Sequence, residues 1–372
     1  MKTQTALVGD SEGNIILSHS APVPELEDDR VFVEVKAVAL NPVDTKMVGA
    51  YHTPGAISGC DFAGVVTAVG STAAAVGHIQ VGDRVAGAVS GLNPLRPDVG
   101  AFANYCTTPY WACLKLPPAW SIADGASLGM TWTTVWNALF RSLGLPFPGV
   151  GEVEVEVQSQ SQSQPGRSNN ASRKVTTVLV NGGSSSAGTC ALQLLKLAGY
   201  QTVATCSPRN FELARSFGAD YVFDYNSPSC ADDIRALTRN SLRHALDCIA
   251  RTDSTRLCFG ALARAGGRYT SLNPFSEAVA ATRKAVRCDW VMGPEMIGEE
   301  VRWPEPHGRP ANPGLKVSAA EWVRMLQMLL DRNLLRTHPL LVRDSGLEGV
   351  LEGFVDLRAK RISGQKLIYL LK

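Results

Sequence analysis

The sequence predicts an α/β protein of two domains, a barrel-like β domain followed by a doubly wound parallel sheet. Three observations predict it. Short β-branched runs closed by glycines fill residues 1–125. From residue 175 onward, strand-like and helix-like segments alternate. The chain has 372 residues, enough for two domains of ordinary size.

The β-rich part opens with VFVEVKAVAL (31–40), which alternates at its start as a strand should. GVVTAVG (64–70) and RVAGAV (84–89) are short strands, and VGDRV (81–85) sets a Gly-Asp turn before the second of them. Residues 123–144, ADGASLGMTWTTVWNALFRSLG, contain no proline and predict one long helix. Residues 149–174 break the pattern, because VQSQSQSQPGRSNNASRK is polar and has no apolar face; a flexible surface insertion is expected. Strands are then expected at 175–183, 201–206, 220–225, 244–250 and 266–272. Helices are expected at 185–200, 210–219 and 253–264. The Gly- and Pro-rich 293–314 reads as a loop, and AAEWVRMLQMLLDRNLL after 318 as a helix. The strand-like C-terminal LIYLL is placed back in the first domain. The expected division is 1–125 with 310–372, and 126–309 carrying the insertion.

Composition excludes several function classes. Thirty-six basic and 34 acidic residues leave a net charge of +2, with no basic cluster, so nucleic acid is not an expected partner. There is no run of about 18 apolar residues, so no membrane span is expected. The N-terminal MKTQTALVGDSEGN is polar and passes into a strand-like pattern, so no secretory leader is expected. Nine cysteines include no CxxC pair, which predicts reduced thiols and a cytoplasmic protein.

The first chemical motif is LVNGGSSSAGTCALQLLKL, lying between a predicted strand and a predicted helix. Backbone N–H groups at such a helix start cradle a pyrophosphate, and the helix dipole favours its charge. Gly182, Gly183 and Gly188 let the backbone approach, while Ser184, Ser185 and Ser186 bring hydroxyls and Ala187 stands where glycine is common. An NAD site usually ends its second strand with a carboxylate that accepts from the ribose 2′-OH. Here the strand ends TVATCSPRN, so Ser207, Pro208, Arg209 and Asn210 follow it instead. A hydroxyl and a guanidinium suit a 2′-phosphate, and Tyr225 after the third strand can stack on adenine or bond that phosphate. The pattern predicts NADPH.

A catalytic zinc needs three protein ligands. The six histidines stand at 19, 52, 78, 244, 307 and 338, and ISGCDFAGVV (57–66) has no His–Glu pair after its glycine. No metal is expected. Hydride transfer to a conjugated double bond needs only an activated acceptor and a proton source, and it fits this residue set best.

NPVDTK (41–46), GCDFAGVV (59–66), VGDRV, TTVWNAL (133–139), the GGSSSAG loop and SGQKL (363–367) resemble zinc-free medium-chain dehydrogenase/reductases of the quinone-reductase branch. The similarity runs nearly end to end outside 149–174. NPVDTK, the SSSA loop, SPRN, FDY (223–225) and GPEMIGEE resemble the trans-acting enoyl reductases of fungal polyketide synthases more closely. That resemblance implies a GroES-like catalytic domain and a Rossmann cofactor domain. It implies a monomer that uses NADPH to reduce an α,β-unsaturated thioester held by a polyketide synthase or a synthase–peptide synthetase hybrid. It implies catalytic roles for Lys46, Thr131 and Thr134. Cofactor contacts are implied for Val43, Asp44, Thr45, Lys46, Leu272, Asn273, Ile362 and Ser363. Substrate contacts are implied for Thr131, Trp132, Thr133, Thr134, Val135, Trp136, Asn137 and Ala138, and for Gly293, Pro294, Glu295, Met296 and Ile297. Asp61 is expected to order the turn beneath the site rather than act as a base. The alternatives are a free-standing NADPH quinone or enone reductase, and a non-enzymatic binding protein on the same fold.

Overall fold

A computed structural model describes residues 2–147 and 175–372. The polar insertion predicted at 149–174 lies outside the described residues. Along the chain run β1 (Thr3–Gly9), β2 (Ile15–Pro22), β3 (Arg30–Ala39), β4 (Asp61–Val69), β5 (Arg84–Ala88), β6 (Tyr105–Pro109) and β7 (Leu114–Lys115). There follow β8 (Thr177–Asn181), β9 (Gln201–Cys206), β10 (Tyr221–Asp224), β11 (His244–Asp247), β12 (Gly267–Ser271), β13 (Val286–Trp290), β14 (Leu340–Arg343) and β15 (Lys366–Leu370). The chain divides into two compact units, Met1–Thr133 with Gly293–Lys372, and Thr134–Met292. The sequence pattern set these divisions at 125/126 and 309/310.

In the first unit β3 is the spine. Its ten residues alternate buried and half-buried positions over Val31–Lys36. On one side it pairs with β4 along nearly its whole length. On the other it pairs with β6 at Arg30–Glu34 and with β15 at Ala37–Ala39. β5 and β7 extend the sheet beyond β4, and β14 extends it beyond β15. The C-terminal strand therefore returns to the first unit, as LIYLL predicts.

In the second unit six parallel strands run in the order β10-β9-β8-β11-β12-β13. This is the Rossmann order, with its switch point between β8 and β11. Val178, Leu179 and Val180 have no exposed surface, as expected for a central strand covered on both faces. On one side of the sheet Phe259 packs edge-on to Tyr269, their ring centroids 5.4 Å apart. The sixth strand β13 and the helices Cys230–Leu237 and Glu277–Ala280 escaped the sequence reading.

The predicted helix at 123–144 is three pieces: Ile122–Ala126, Gly129–Trp136 and a π-helix Asn137–Ser142. The first break has a visible cause. Ser127 Oγ donates to Asp124 O at 2.7 Å and closes the first piece. The Asp61 carboxylate then accepts from Met130 N at 2.5 Å and caps the second. Gly129 sits so close to this point that a Cβ there would lie 2.3 Å from Gly87 O. Such a cap, supplied from a distant strand, leaves no trace in local periodicity. The 293–314 segment, expected as loop, holds a 3₁₀ turn at Pro294–Ile297 and a bridge between Val301 and Arg309. Among the described residues no helix is long and apolar enough to cross a membrane.

Candidate active site

In the second unit the predicted cofactor residues gather on one edge. Ser184–Ala187 follow β8, Ser207–Asn210 follow β9, Tyr225 follows β10, and Leu272 with Asn273 follow β12. All lie at C-terminal strand ends, where dinucleotides bind in this topology. Gly182 takes φ +81 to make the tight turn. Gly188 lets the helix start approach that turn, since a Cβ there would come within 2.2 Å of Gly182 O. Ser185 caps the helix Ser186–Leu197: its Oγ accepts from Gly188 N at 3.0 Å and donates to Gly182 O at 2.7 Å. The helix dipole adds positive potential at this end. Turn, cap and bared backbone together fit a pyrophosphate.

Beside it, Ser207 Oγ and Tyr225 OH lie 3.3 Å apart, and Arg209 is exposed on the turn Pro208–Asn210. Asn210 Nδ2 donates to Ser184 Oγ at 3.3 Å, tying this turn to the cradle.

A buried network beneath the edge was missed from sequence. Asp247 is fully buried and accepts from Asn181 Nδ2, Ile249 N, Ala250 N, Ser254 Oγ and Tyr269 OH at 2.7–3.1 Å. It fixes the loop after β11, where Ala250 takes φ +56. Burial, then the Asp247 charge, hold the Tyr269 phenol far above its usual pKa, so it stays a donor. The signal was present: an aspartate ending the apolar run HALD.

In the first unit β3 and β15 are antiparallel, so the turn after β3 and the turn before β15 meet at one end. This brings Val43–Lys46 and Ile362–Ser363 to the same edge. The start of β4, with Asp61, lies there too, because Asp61 pairs with Ala39. At their junction Lys366 Nζ donates to Asn41 Oδ1 at 2.7 Å, Asp61 Oδ2 at 3.0 Å and Thr131 Oγ1 at 3.1 Å. The Lys366 and Asp61 side chains are 3% and 0% exposed. Asn41 Nδ2 also donates to Asp61 at 2.9 Å. Four chain segments are thus held by one ammonium. Lys366 and Asn41 were not assigned from sequence, although a lysine opening the buried strand KLIYL was a signal.

Asp44 is buried. Its carboxyl accepts from Asn41 N at 2.7 Å and bonds Cys60. Burial, aided by the Asp61 charge, pushes its pKa up to about 7. Its carboxyl thus bonds within the interior of the turn. His338, also buried, is pulled down to about 4 by desolvation and then by Lys366. Lys46 is exposed, yet desolvation of its ammonium lowers its pKa. Desolvation, then the Arg309 charge and then that of Lys46, lower the pKa of His307. Thr45 O accepts from Arg358 Nε and a terminal nitrogen at 3.2 and 2.9 Å, which steadies the turn.

Of the implied substrate residues, Thr131, Trp132, Val135, Asn137 and Ala138 are buried, whereas Thr133, Thr134 and Trp136 are half-buried. Thr133 Oγ1 is engaged by Gly129 O at 2.9 Å. Gly293, Pro294 and Met296 are buried and Ile297 is half-buried. Glu295 pairs with Arg309 at 3.2 Å. Among the described residues no group of three or more His, Cys, Asp or Glu is placed to hold a metal.

The family model of the alcohol dehydrogenase GroES-like domain matches residues 27–118, and that of the zinc-binding dehydrogenase matches residues 187–274. The chain is 56% identical to the trans-enoyl reductase cghC of Chaetomium globosum, over 99% of this chain and 98% of that one. It is 57% identical to the trans-enoyl reductase tasC of Hapsidospora irregularis, over 100% and 98%. A crystal structure of CurK enoyl reductase shares the fold, with a TM-score of 0.74 at 18% identity over the whole of both chains. Fold and cradle define a medium-chain dehydrogenase/reductase, a superfamily whose reductases use nicotinamide cofactors. Within it, the chain belongs to the trans-enoyl reductases and is an enoyl reductase enzyme.

Proposed function

We propose that this enzyme reduces the α,β-double bond of a carrier-bound polyketide thioester with NADPH. It would act in trans on a polyketide synthase or a synthase–peptide synthetase hybrid. The observation that carries the reading is the near full-length identity of 56% and 57% to two trans-enoyl reductases. The choice of NADPH is supported by Ser207, Arg209 and Tyr225, which put hydroxyls and a cation after β9 and β10 where a carboxylate would select NADH. The same resemblance supports a monomer. Nine cysteines, none of them in a disulfide among the described residues, support a cytoplasmic setting.

Bound NADPH supplies a hydride for the β-carbon. The chain's own task is the negative charge that then gathers on the thioester oxygen, which preorganised donors stabilise. Lys46 and Thr131 are assigned that task, together with Thr134, which follows Thr131 on the helix Gly129–Trp136. Lys366 holds the Thr131 hydroxyl by donating to it, and with Asn41 and Asp61 it holds the turn that carries Lys46. Val43, Asp44, Thr45, Leu272, Asn273, Ile362 and Ser363 are assigned to the cofactor side, and 131–138 with 293–297 to the substrate side.

The test is NADPH consumption with three acceptors: an enoyl thioester on a carrier protein, its pantetheine mimic, and a quinone. Turnover of both thioesters is expected. Rapid quinone reduction with neither thioester consumed overturns the reading in favour of a free-standing quinone reductase.

A further inference from the structure

The second unit holds a cavity of about 500 Å3 whose lining includes Arg235, Arg256, Arg264, Arg283, Phe259 and Leu262. It lies at the opposite edge of the sheet from the cofactor cradle. Arg235 ends the helix before β11, Arg264 sits between a helix and β12, and Arg283 precedes β13. Each is on a connection entering the N-terminal end of a strand, whereas the cradle lies at the C-terminal ends. Strands of four to six residues, at about 3.3 Å per residue, separate the two edges.

The fold accounts for two of the four arginines. Arg235 donates to Gly260 O, and Arg283 donates to Phe259 O and to Ala263 O, so both satisfy carbonyls at the end of the helix Thr252–Ala261. It does not account for Arg256 and Arg264, which are exposed. Among the described residues neither makes an ion pair, nor does Arg283. The carboxylate bonded to Arg235 is Asp232, at 3.0 Å and itself 77% exposed. Arg235 Nε is buried without a partner. Exposed Arg239, Arg243, Lys284 and Arg287 continue the positive charge along the same edge. Glu277 is the one carboxylate on the helix Glu277–Ala280 beside them. Like charges held this close repel, and nothing in the fold repays Arg256 and Arg264.

We propose that this arginine-lined pocket docks an acidic surface of the partner synthase. The inference rests on the proposed function, in which the substrate arrives on another protein. Two features favour a protein surface. The charge spreads well beyond the pocket, wider than a small anion covers. A partner docked at the N-terminal strand edge leaves the cofactor edge uncovered.

The test compares wild type with the double variant Arg256→Glu/Arg264→Glu, and with Arg256→Gln/Arg264→Gln should charge reversal disturb folding. Affinity for the intact synthase is measured by biolayer interferometry at 50 and 300 mM salt. Turnover is measured on synthase-borne and pantetheine-borne thioester. Wild-type binding is expected to weaken with salt, as interactions between exposed charges are screened. The variant is expected to lose about tenfold or more in affinity and in KM for synthase-borne substrate. Its kinetics on the pantetheine thioester are expected to be unchanged. A variant that binds the synthase like wild type overturns this inference alone. So does an equal loss on both substrates, or a phosphate-dependent thermal stabilisation that the variant lacks while its synthase binding is intact. A wild type that neither binds the synthase nor reduces its substrate overturns the proposed function as well.

Discussion

Lys366→Met removes the ammonium that joins Asn41, Asp61 and Thr131 and keeps an apolar side chain of similar length. Asp61 would then be a fully buried carboxylate with no cation, since its side chain is 0% exposed. Breaking a buried pair by removing one partner costs about 3–5 kcal/mol. For a unit of this size that corresponds to a fall in Tm of roughly 6–20 °C. The measurement is thermal unfolding of wild type, Lys366→Met, Asp61→Asn and the double variant. The double variant should recover much of the loss, because it leaves no unpaired charge, and the cycle should show a coupling of about 1 kcal/mol or more. A Tm within about 2 °C of wild type for Lys366→Met, or a double variant equal to the sum of the singles, would refute the view that this lysine is the clamp of the first unit.

Further outcomes follow from the same geometry. Arg209→Ala should weaken NADPH by about 10- to 100-fold, the worth of a charge-assisted hydrogen bond, while leaving NADH nearly unchanged; equal losses in a fluorescence titration would remove Arg209 from the phosphate site. Gly188→Ala forces a Cβ against Gly182 O, a backbone atom 2.2 Å away. It should cost about 1–3 kcal/mol in urea unfolding and lose cofactor binding, and wild-type titration curves would contradict the cradle. Asp44 and His338 should give opposing pH dependences. With its pKa raised to about 7, folded Asp44 binds more protons than unfolded Asp44 above pH 3.8, so its contribution to stability falls as pH rises to 7. With its pKa lowered to about 4, folded His338 binds fewer, so its contribution rises from pH 4 to 6.5. Relative to wild type, Asp44→Asn should add a rising slope and His338→Gln a falling one, read by urea unfolding from pH 4.5 to 6.5. Slopes that match wild type in both variants would show that neither group titrates as its burial demands.

The alternation after residue 175 made the parallel sheet legible, because strands buried on both faces read as short apolar runs such as TVLV. The cradle was legible for a related reason: turn, cap and helix start are all local, from Gly182 to Gly188. What escaped was non-local. The break near residue 128 needs Asp61, which lies on another strand, and the Lys366 clamp joins residues 41 and 366. Charged residues inside apolar strands were the only trace, and such a trace does not name the partner. Asp44 was placed on the cofactor side by its motif, and the structure turns its carboxyl inward to Asn41 and Cys60. Several cysteines lie in apolar segments such as TVATC and ALDCIA, a setting that predicts burial. Seven of the nine are buried, and desolvation raises the pKa of Cys60, Cys106 and Cys113.

Conjugate reduction is most directly tested by following the hydride itself. A carrier-bound enoyl thioester is incubated with the enzyme and NADPH deuterated at the transferred position, and the product is read by mass spectrometry. The expected product is the saturated thioester with one deuterium, on the β-carbon. Unreduced thioester, or a saturated product without deuterium at that carbon, would contradict it.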